Sequence, residues 1–185
     1  MIRKATINDA RPIAELTYMI WKDMELEIVE NYDKSEVIKV IEESVASESY
    51  RNSYHHIDVY DVEGQVAGMI VTYDGDKELY YEGSWNTIKR AKSLPLSTKT
   101  PLPVKEAEDT DRYIESIATF PQYRGRGIAK ALMTHVFEKY RGQTFSLNCD
   151  RDNIRAKKLY ENMGFKPHIE KTLYGHVYDY MIYTE

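Results

Sequence analysis

The residues best suited to chemistry form a glycine- and arginine-rich segment in the second half of the chain. The segment reads Gln122-Tyr123-Arg124-Gly125-Arg126-Gly127-Ile128-Ala129. Glycine has no Cβ, so an anionic group can come close to the main chain here. The arginines add cationic donors suited to phosphate oxygens. If a helix follows, its free N–H groups and its dipole add to that attraction. The spacing therefore predicts a phosphate or pyrophosphate site.

The charge distribution agrees with a compact anionic ligand. The 185 residues carry 25 Lys and Arg against 30 Asp and Glu, a net charge of −5. Residues 122–158 hold nine basic and three acidic residues, whereas the rest of the chain holds sixteen and twenty-seven. A broad nucleic-acid footprint normally makes a domain basic, so we expect no nucleic-acid partner. The alternative for the local excess is a surface that is uneven by chance.

Two common phosphate-binding motifs do not fit this segment. The P-loop needs a lysine and a hydroxyl residue after its last glycine, but Ile128 and Ala129 follow Gly127. The dinucleotide fingerprint needs a third glycine at position 130, which is Lys130. A glycine-rich helix entry that holds no ligand is the remaining alternative.

The elements around the segment predict a mixed-sheet α/β or α+β fold in a single domain, residues 1–185. A strand over 112–119 precedes the segment, and a helix from Gly127 to Tyr140 follows it. An excursion over 74–111 is expected to be functional or mobile, with one short helix around 84–92. The other predicted elements are a strand at 2–6, a helix from 8 to about 28, a helix starting near 33–35, hairpin strands at 57–62 and 66–73, a strand at 144–149, a helix at 153–164 and two strands within 165–183.

Three ordered motifs resemble the GNAT superfamily of N-acetyltransferases. Gln122-x-x-Gly125-x-Gly127 is similar to its acetyl-CoA signature, and residues 113–119 resemble the strand before it. The run from Asn153 to Phe165 is similar to the family's N-x-x-A-x-x-L-Y-x-x-x-G-F motif, and the opening residues 2–10 are typical of it. The resemblance covers most of the chain except 74–111.

The resemblance implies a central mixed, mostly antiparallel sheet flanked by helices, with strands 112–119 and 144–149 splayed around coenzyme A. It implies acetyl-CoA as co-substrate and an amine as acceptor, attacked directly in a ternary complex. The implied cofactor-binding residues are Ile117, Ala118, Thr119, Gln122, Arg124, Gly125, Arg126, Gly127, Ile128, Ala129 and Asn153.

The chemistry asks for an acid and a base. A primary ammonium has a pKa of ~10.4, so only ~0.1% is neutral near pH 7.4. Glu115 is the candidate base, expected on the same face as Tyr113 and Ile117 by the two-residue strand period. Its alternative is a structural carboxylate; weaker candidates are Asp58, Glu78 and a water on the Ile117 carbonyl. Tyr160, implied to lie near the sulfur, is the candidate acid, with core packing as its alternative.

The acceptor is expected to be a small cationic amine or a peptide amine. Residues 23–48 carry nine carboxylates, which would attract a polyamine, an aminoglycoside or a peptide lysine if they line the cleft. A solvated helix face is the alternative. In the excursion, Tyr80, Tyr81 and Trp85 are the candidate contacts. The alternative function is a non-catalytic acyl-CoA-binding sensor or partner-binding module.

The remaining expectations concern compartment, metals and assembly. Cys149 is the only cysteine, so no disulfide forms within the chain, and a buried structural role is expected for it. No His, Cys or carboxylate spacing predicts a metal site. No stretch is apolar enough to span a bilayer and no secretory signal is visible, so we expect no membrane partner and a cytoplasmic protein. The family resemblance also allows a homodimer.

Overall fold

A seven-stranded sheet, built from strands rich in apolar residues, runs through the molecule. The structure is a computed structural model and describes residues 1–185. Its strand order is β1-β2-β3-β4-β5-β7-β6, and every neighbouring pair except β4 and β5 is antiparallel. The strands are β1 (Ile2–Lys4), β2 (Ile57–Val62), β3 (Gln65–Asp74), β4 (Arg112–Thr119), β5 (Phe145–Asp150), β6 (Lys166–Leu173) and β7 (His176–Tyr183). The predicted mixed, mostly antiparallel sheet is confirmed.

Six α-helices flank the sheet, and their apolar residues divide the core into two clusters. One cluster packs α1 and α3 on one face, and the other packs α5 on the opposite face. The helices are α1 (Ala10–Asp23), α2 (Glu27–Asn31), α3 (Lys34–Ala46), α4 (Glu78–Gly83), α5 (Ile128–Lys139) and α6 (Ile154–Asn162).

The first helix ends earlier than the sequence pattern predicts. It stops at Asp23 rather than near Ile28, and Glu25 takes the left-handed conformation with φ 55°. That turn breaks the helical hydrogen-bond ladder, and α2 begins two residues later. Leu26 and Ile28 are both buried after the turn, so the change of direction lets both reach the core.

The two central strands separate soon after they meet. β4 and β5 pair in parallel only at Arg112 with Phe145 and at Tyr113 with Ser146. Beyond these two pairs, the edge of β4 that faces β5 has no strand partner. The predicted splayed strands are therefore present.

A β-bulge lies in β4 at the candidate base. Val71 pairs with Ser116 and Thr72 pairs with Ile114, so Glu115 has no partner on β3. The extra residue changes which face the later side chains take. Tyr113 belongs to the cluster under α1 and α3, whereas Ile117 packs against the cluster under α5. The expectation that Tyr113, Glu115 and Ile117 share one face is wrong for Ile117, because the bulge interrupts the two-residue period.

The excursion between β3 and β4 packs closely onto the rest of the molecule. Its only α-helix is α4, before the predicted position, and residues 84–87 and 90–93 form short 3₁₀ turns. Trp85 is buried, with ring centroids 6.0 Å from Trp21 and 5.2 Å from Tyr50. Trp85 is therefore a core residue and does not contact an acceptor.

Candidate active site

Two glycines shape the turn that enters α5. Gly125 and Gly127 have φ angles of +77° and +75°, in the left-handed region that favours glycine. A Cβ built on either glycine would meet no atom within 4 Å. The turn is therefore bounded by main chain and open on its outer side, which is the shape that a close phosphate contact needs.

The main-chain amides of this turn are free to bind a ligand. The first amide of α5 to bond to a preceding carbonyl is that of Ala131, which donates to Gly127 O at 2.9 Å. The amides of residues 125–130 donate no backbone hydrogen bond. The exposed side chains of Arg124, Arg126 and Lys130 surround them. Free N–H donors, a helix N-terminus and nearby cations together fit the pyrophosphate of coenzyme A.

The predicted pantetheine contacts lie where β4 separates from β5. Ile117, Ala118 and Thr119 are half-buried and follow the last paired residue of β4. Their main chain pairs with β3 on one edge and has no strand partner on the edge that faces β5. Thr119 O also accepts a hydrogen bond from Arg124 Nε at 3.2 Å. This segment leads from the gap to the glycine turn, where Gln122 is exposed. Asn153 lies apart from the turn at the start of α6, where its Oδ1 accepts a hydrogen bond from Ala156 N at 3.1 Å.

Tyr160, the candidate acid, lies on α6 beside the cluster under α5. It is half-buried, and its ring packs edge-on against Phe165 with centroids 6.1 Å apart. Burial raises the pKa of Tyr160 above its ordinary value, so the phenol stays protonated near neutral pH. Cys149 belongs to the same cluster, and burial raises the pKa of its thiol to about 11. A thiol so seldom ionised near neutral pH is poorly suited to act as a nucleophile.

Only one carboxylate oxygen of Glu115, the candidate base, has a hydrogen-bond partner. Its Oε1 accepts a hydrogen bond from Arg51 Nε at 2.9 Å, while its Oε2 is buried with no hydrogen-bond partner. Burial raises the pKa of Glu115 to about 7, against the opposing effect of the Arg51 guanidinium. A carboxylate with an open oxygen and a pKa near neutrality is suited to accept a proton.

The two carboxylates among the weaker base candidates already have hydrogen-bond or ion-pair partners. Lys139 Nζ lies 3.0 and 2.9 Å from the two oxygens of Asp58. Glu78 Oε1 accepts hydrogen bonds from the amides of Glu106 and Ala107 at 2.9 and 3.1 Å. Neither carboxylate offers an open oxygen comparable with that of Glu115.

Sequence reasoning missed Arg51, Glu106 and Asn148. Glu106 Oε2 accepts hydrogen bonds from Arg51 at 3.1 Å and from the Tyr113 hydroxyl at 2.8 Å. Asn148 Nδ2 donates to that hydroxyl at 3.0 Å, and Asn148 Oδ1 has no partner. No local pattern marks these residues, since the contacts join segments far apart in the chain.

The acidic residues of the first helices serve the excursion in part. Glu27 accepts hydrogen bonds from the amide and hydroxyl of Ser97, at 2.9 and 2.6 Å. Glu43 accepts from the amides of Lys89 and Arg90, at 2.9 and 3.2 Å. These two carboxylates hold the excursion in place, so they are not free to attract an acceptor.

The arrangement of side chains and the character of the helices bear on metal binding and on membrane crossing. No group of three or more His, Cys, Asp or Glu side chains is arranged to hold a metal ion. No helix combines the length and apolar character required to cross a membrane.

Comparison with known proteins places this geometry in a family. The model of the acetyltransferase (GNAT) family matches residues 14–165. No curated protein sequence matches the chain.

Solved structures give the same result. An N-acetyltransferase from Staphylococcus aureus Mu50 is 46% identical with a TM-score of 0.94, over 99% of this chain and 100% of that one. Another acetyltransferase is 33% identical with a TM-score of 0.85, over 100% of this chain and 98% of that one. PaiA N-acetyltransferase from Thermoplasma acidophilum, in complex with coenzyme A, shares the fold at 15% identity and a TM-score of 0.61, over 100% of this chain and 98% of that one. The chain belongs to the GNAT family of acetyltransferases and is an acyltransferase.

Proposed function

We propose that this protein transfers the acetyl group of acetyl-CoA to a primary amine, either a small cationic amine or a peptide amine, by direct attack in a ternary complex. The observation that carries the proposal is the open glycine turn with its free amides, which lies at the end of the gap between β4 and β5. Family membership supports acetyl-CoA as the donor. The buried Glu115 Oε2, which has no hydrogen-bond partner, supports an amine as the acceptor, because it could take the proton of an ammonium group.

The residues of the turn and the gap would hold the co-substrate. When bound, acetyl-CoA supplies an acetyl group activated as a thioester. The amides of residues 125–129 would hold the pyrophosphate, with the side chains of Arg124 and Arg126 adding charge. The Arg124 amide is not among these donors, because it already donates to Pro121 O at 3.2 Å. The main chain of Ile117 to Thr119 would hold the pantetheine arm, and Asn153 would contact it from α6.

Glu115 would accept the proton that the amine must lose. At pH 7.4 the neutral amine is scarce, a deficit of ~4 kcal/mol for a pKa of ~10.4. A positioned base recovers part of this deficit and is typically worth ~10²–10⁴ in rate. The pKa of about 7 keeps Glu115 mostly ionised at that pH and still basic enough to take a proton. Activity should therefore rise as pH increases through 7.

Tyr160 would donate a proton to the departing thiolate. Its raised pKa keeps the phenol protonated throughout the physiological range. The phenol lies on α6 and the carboxylate on β4, so two different elements would supply the acid and the base.

Calorimetry with acetyl-CoA tests the binding half of the proposal. In the double variant Gly125→Asp, Gly127→Asp, two carboxylates would occupy the open space of the turn and repel the pyrophosphate. We expect the double variant to lose acetyl-CoA binding at least a hundredfold.

Gly142→Asp is the matched control, since Gly142 has a φ of +85° and no atom within 4 Å of its Cβ position, but lies beyond the other end of α5. It should bind acetyl-CoA like the wild type. Normal binding by the double variant, or equal loss in the control, would contradict the assignment of the turn. Tight binding without transfer to any amine would favour the non-catalytic acyl-CoA sensor instead.

A further inference from the structure

One buried arginine joins the excursion to the central strand. Arg51 lies in the segment between α3 and β2 and is fully buried. Four carboxylates surround its guanidinium. Nε lies 2.9 Å from Glu115, and the terminal nitrogens lie 3.3, 3.4 and 3.1 Å from Glu78, Glu82 and Glu106.

The three carboxylates other than Glu115 each bond to Arg51 and to further donors. Glu82 Oε1 accepts a hydrogen bond from the amide of Leu102 at 2.7 Å. Glu78 Oε1 accepts from two amides of the excursion. Glu106 accepts from the hydroxyls of Tyr113 and Tyr174 at 2.8 and 2.9 Å. In each case both oxygens are bonded, so these carboxylates fix Arg51 and the excursion.

Glu115 is the exception among the four. Its Oε1 is bonded to Arg51 Nε, its side chain is only 7% exposed, and its Oε2 has no partner. A buried carboxylate oxygen without a donor is costly unless a ligand supplies one. The planar guanidinium is suited to hold Oε1 in one orientation, because its donors point in fixed directions.

We propose that Arg51 is a positioning residue for acetyl transfer: it fixes the Glu115 carboxylate through Oε1 and leaves Oε2 to receive the proton of the acceptor ammonium. This inference rests on the proposed function. Arg51 acts through Glu115 and does not itself contact the reacting atoms. Arg51 also holds the excursion beside β4, because its guanidinium donates a hydrogen bond to the Leu102 carbonyl at 3.3 Å.

The groups around Glu115 determine how readily it accepts a proton. Burial raises the pKa of Glu115, Arg51 lowers it, and the neighbouring carboxylates raise it further. The titratable and charged groups in the cluster are Arg51, Glu78, Glu82, Glu106, Tyr50, Tyr73, Tyr113, Tyr174 and Lys105, whose Nζ lies 3.3 Å from Glu78.

Carbon-13 NMR of labelled glutamate carboxyls tests the proposal in the absence of any amine. The Glu115 signal is assigned by its loss in Glu115→Gln, and its titration midpoint in the wild type is expected near pH 7. Arg51→Lys keeps a positive charge but loses the Nε donor, so the midpoint should rise by half a pH unit or more. Acetyl-CoA affinity should stay within twofold of the wild type.

Glu82→Gln is the matched control, since it also alters a partner of Arg51 but leaves the contact between Arg51 and Glu115. It removes one negative charge, so the midpoint should fall. Opposite shifts in the two variants support a direct hold of Arg51 on Glu115. Shifts in the same direction, or no shift in either, would overturn the proposal.

A second readout needs no substitution at Arg51. The Nε–H proton resonance of Arg51 in the wild type should follow pH with the midpoint of Glu115, and should be insensitive to pH in Glu115→Gln. An insensitive Nε–H in the wild type would also overturn the proposal. Neither NMR measurement requires an acceptor amine. If the protein transferred acetyl to no amine, the proposed function would be wrong, but the NMR titrations would still show whether Arg51 holds Glu115.

Discussion

The hydroxyl of Tyr160 is the one phenol proposed to take part in the reaction. Tyr160→Phe removes the proton donor and keeps the ring that packs against Phe165. We expect kcat to fall ~100-fold or more, within the ~10²–10⁴ range of general acid catalysis, with acetyl-CoA affinity nearly unchanged. Steady-state kinetics and calorimetry measure the two effects separately.

Tyr183→Phe is the matched control, since Tyr183 packs in the same cluster and stacks on Phe137 at 4.3 Å. It should leave kcat close to the wild-type value. Full turnover by Tyr160→Phe would remove Tyr160 from the acid role.

At the residue scale, the sequence indicates the proposed ligand-binding turn better than the residues around the proposed base. Gly125 and Gly127 can be recognised from their types and spacing, because glycines beside arginines before a helix let an anion approach the main chain. Glu115 can be chosen from its strand, but its single contact with Arg51 cannot. That contact joins residues 64 positions apart and depends on how the excursion packs.

The close approach of β3 to β4 depends on Gly68. A Cβ at this position would lie 2.8 Å from Ala118 O and 3.0 Å from Ile128 Cγ2. Because the first of these atoms is main chain, Gly68→Ala must push β4 away, at a cost of ~1–3 kcal/mol of folding free energy. It should also weaken acetyl-CoA binding, since Ala118 and Ile128 adjoin the proposed site. Urea denaturation and calorimetry measure these effects.

Gly83→Ala is the control for that substitution. Gly83 ends α4 with φ −58°, and a Cβ there meets nothing within 4 Å. It should stabilise the fold slightly, by ~0.4–1 kcal/mol, and leave binding unchanged. A stable Gly68→Ala variant with normal binding would show that β4 tolerates the displacement.

At the element scale, most strands and long helices follow from periodicity, while the irregular positions do not. The pattern through residues 10–28 is continuous, so nothing local reveals the left-handed turn at Glu25. The bulge at Glu115 is equally hidden, since RYIESIAT is compatible with a regular strand. The excursion contains too few periodic residues to place α4. These features arise from tertiary packing, which local patterns do not encode.

At the scale of the whole molecule, the ionisation of Glu115 should make the free energy of unfolding depend on pH. Folding raises the pKa of Glu115 from an ordinary 4.5 to about 7, so the unfolded chain loses this proton at lower pH than the native protein does. The contribution of Glu115 to stability is complete below pH 4.5 and is lost as pH rises through 7. The loss amounts to about 3 kcal/mol above pH 7.

Glu115→Gln removes this pH-dependent loss. The stability of the variant relative to the wild type should therefore be higher at pH 8 than at pH 5, by about 2–3 kcal/mol. Urea denaturation at the two pH values measures the difference. The control Glu138→Gln, at an exposed position of α5, should show no such change between the two pH values. An equal effect of Glu115→Gln at both pH values would contradict the raised pKa.

The positions of the acidic and basic residues in the fold follow only partly from counting them along the sequence. Of the basic residues of 122–158, only Arg124, Arg126 and Lys130 adjoin the glycine turn. Others lie elsewhere: Lys139, at the far end of α5, pairs with Asp58, and Lys157 on α6 pairs with Asp179. The acidic excess lies partly on the surface and partly in the buried cluster around Arg51. The counts cannot separate these two acidic populations, because burial depends on the fold.

The most direct measurement is the release of coenzyme A thiol from acetyl-CoA in the presence of a panel of primary amines, containing polyamines, aminoglycosides and lysine peptides. The account predicts saturable, amine-dependent release with stoichiometric N-acetylated product, a rate that rises through pH 7, and loss of that rise in Glu115→Gln. Acetyl-CoA that binds normally but is never transferred to any of these amines would contradict it.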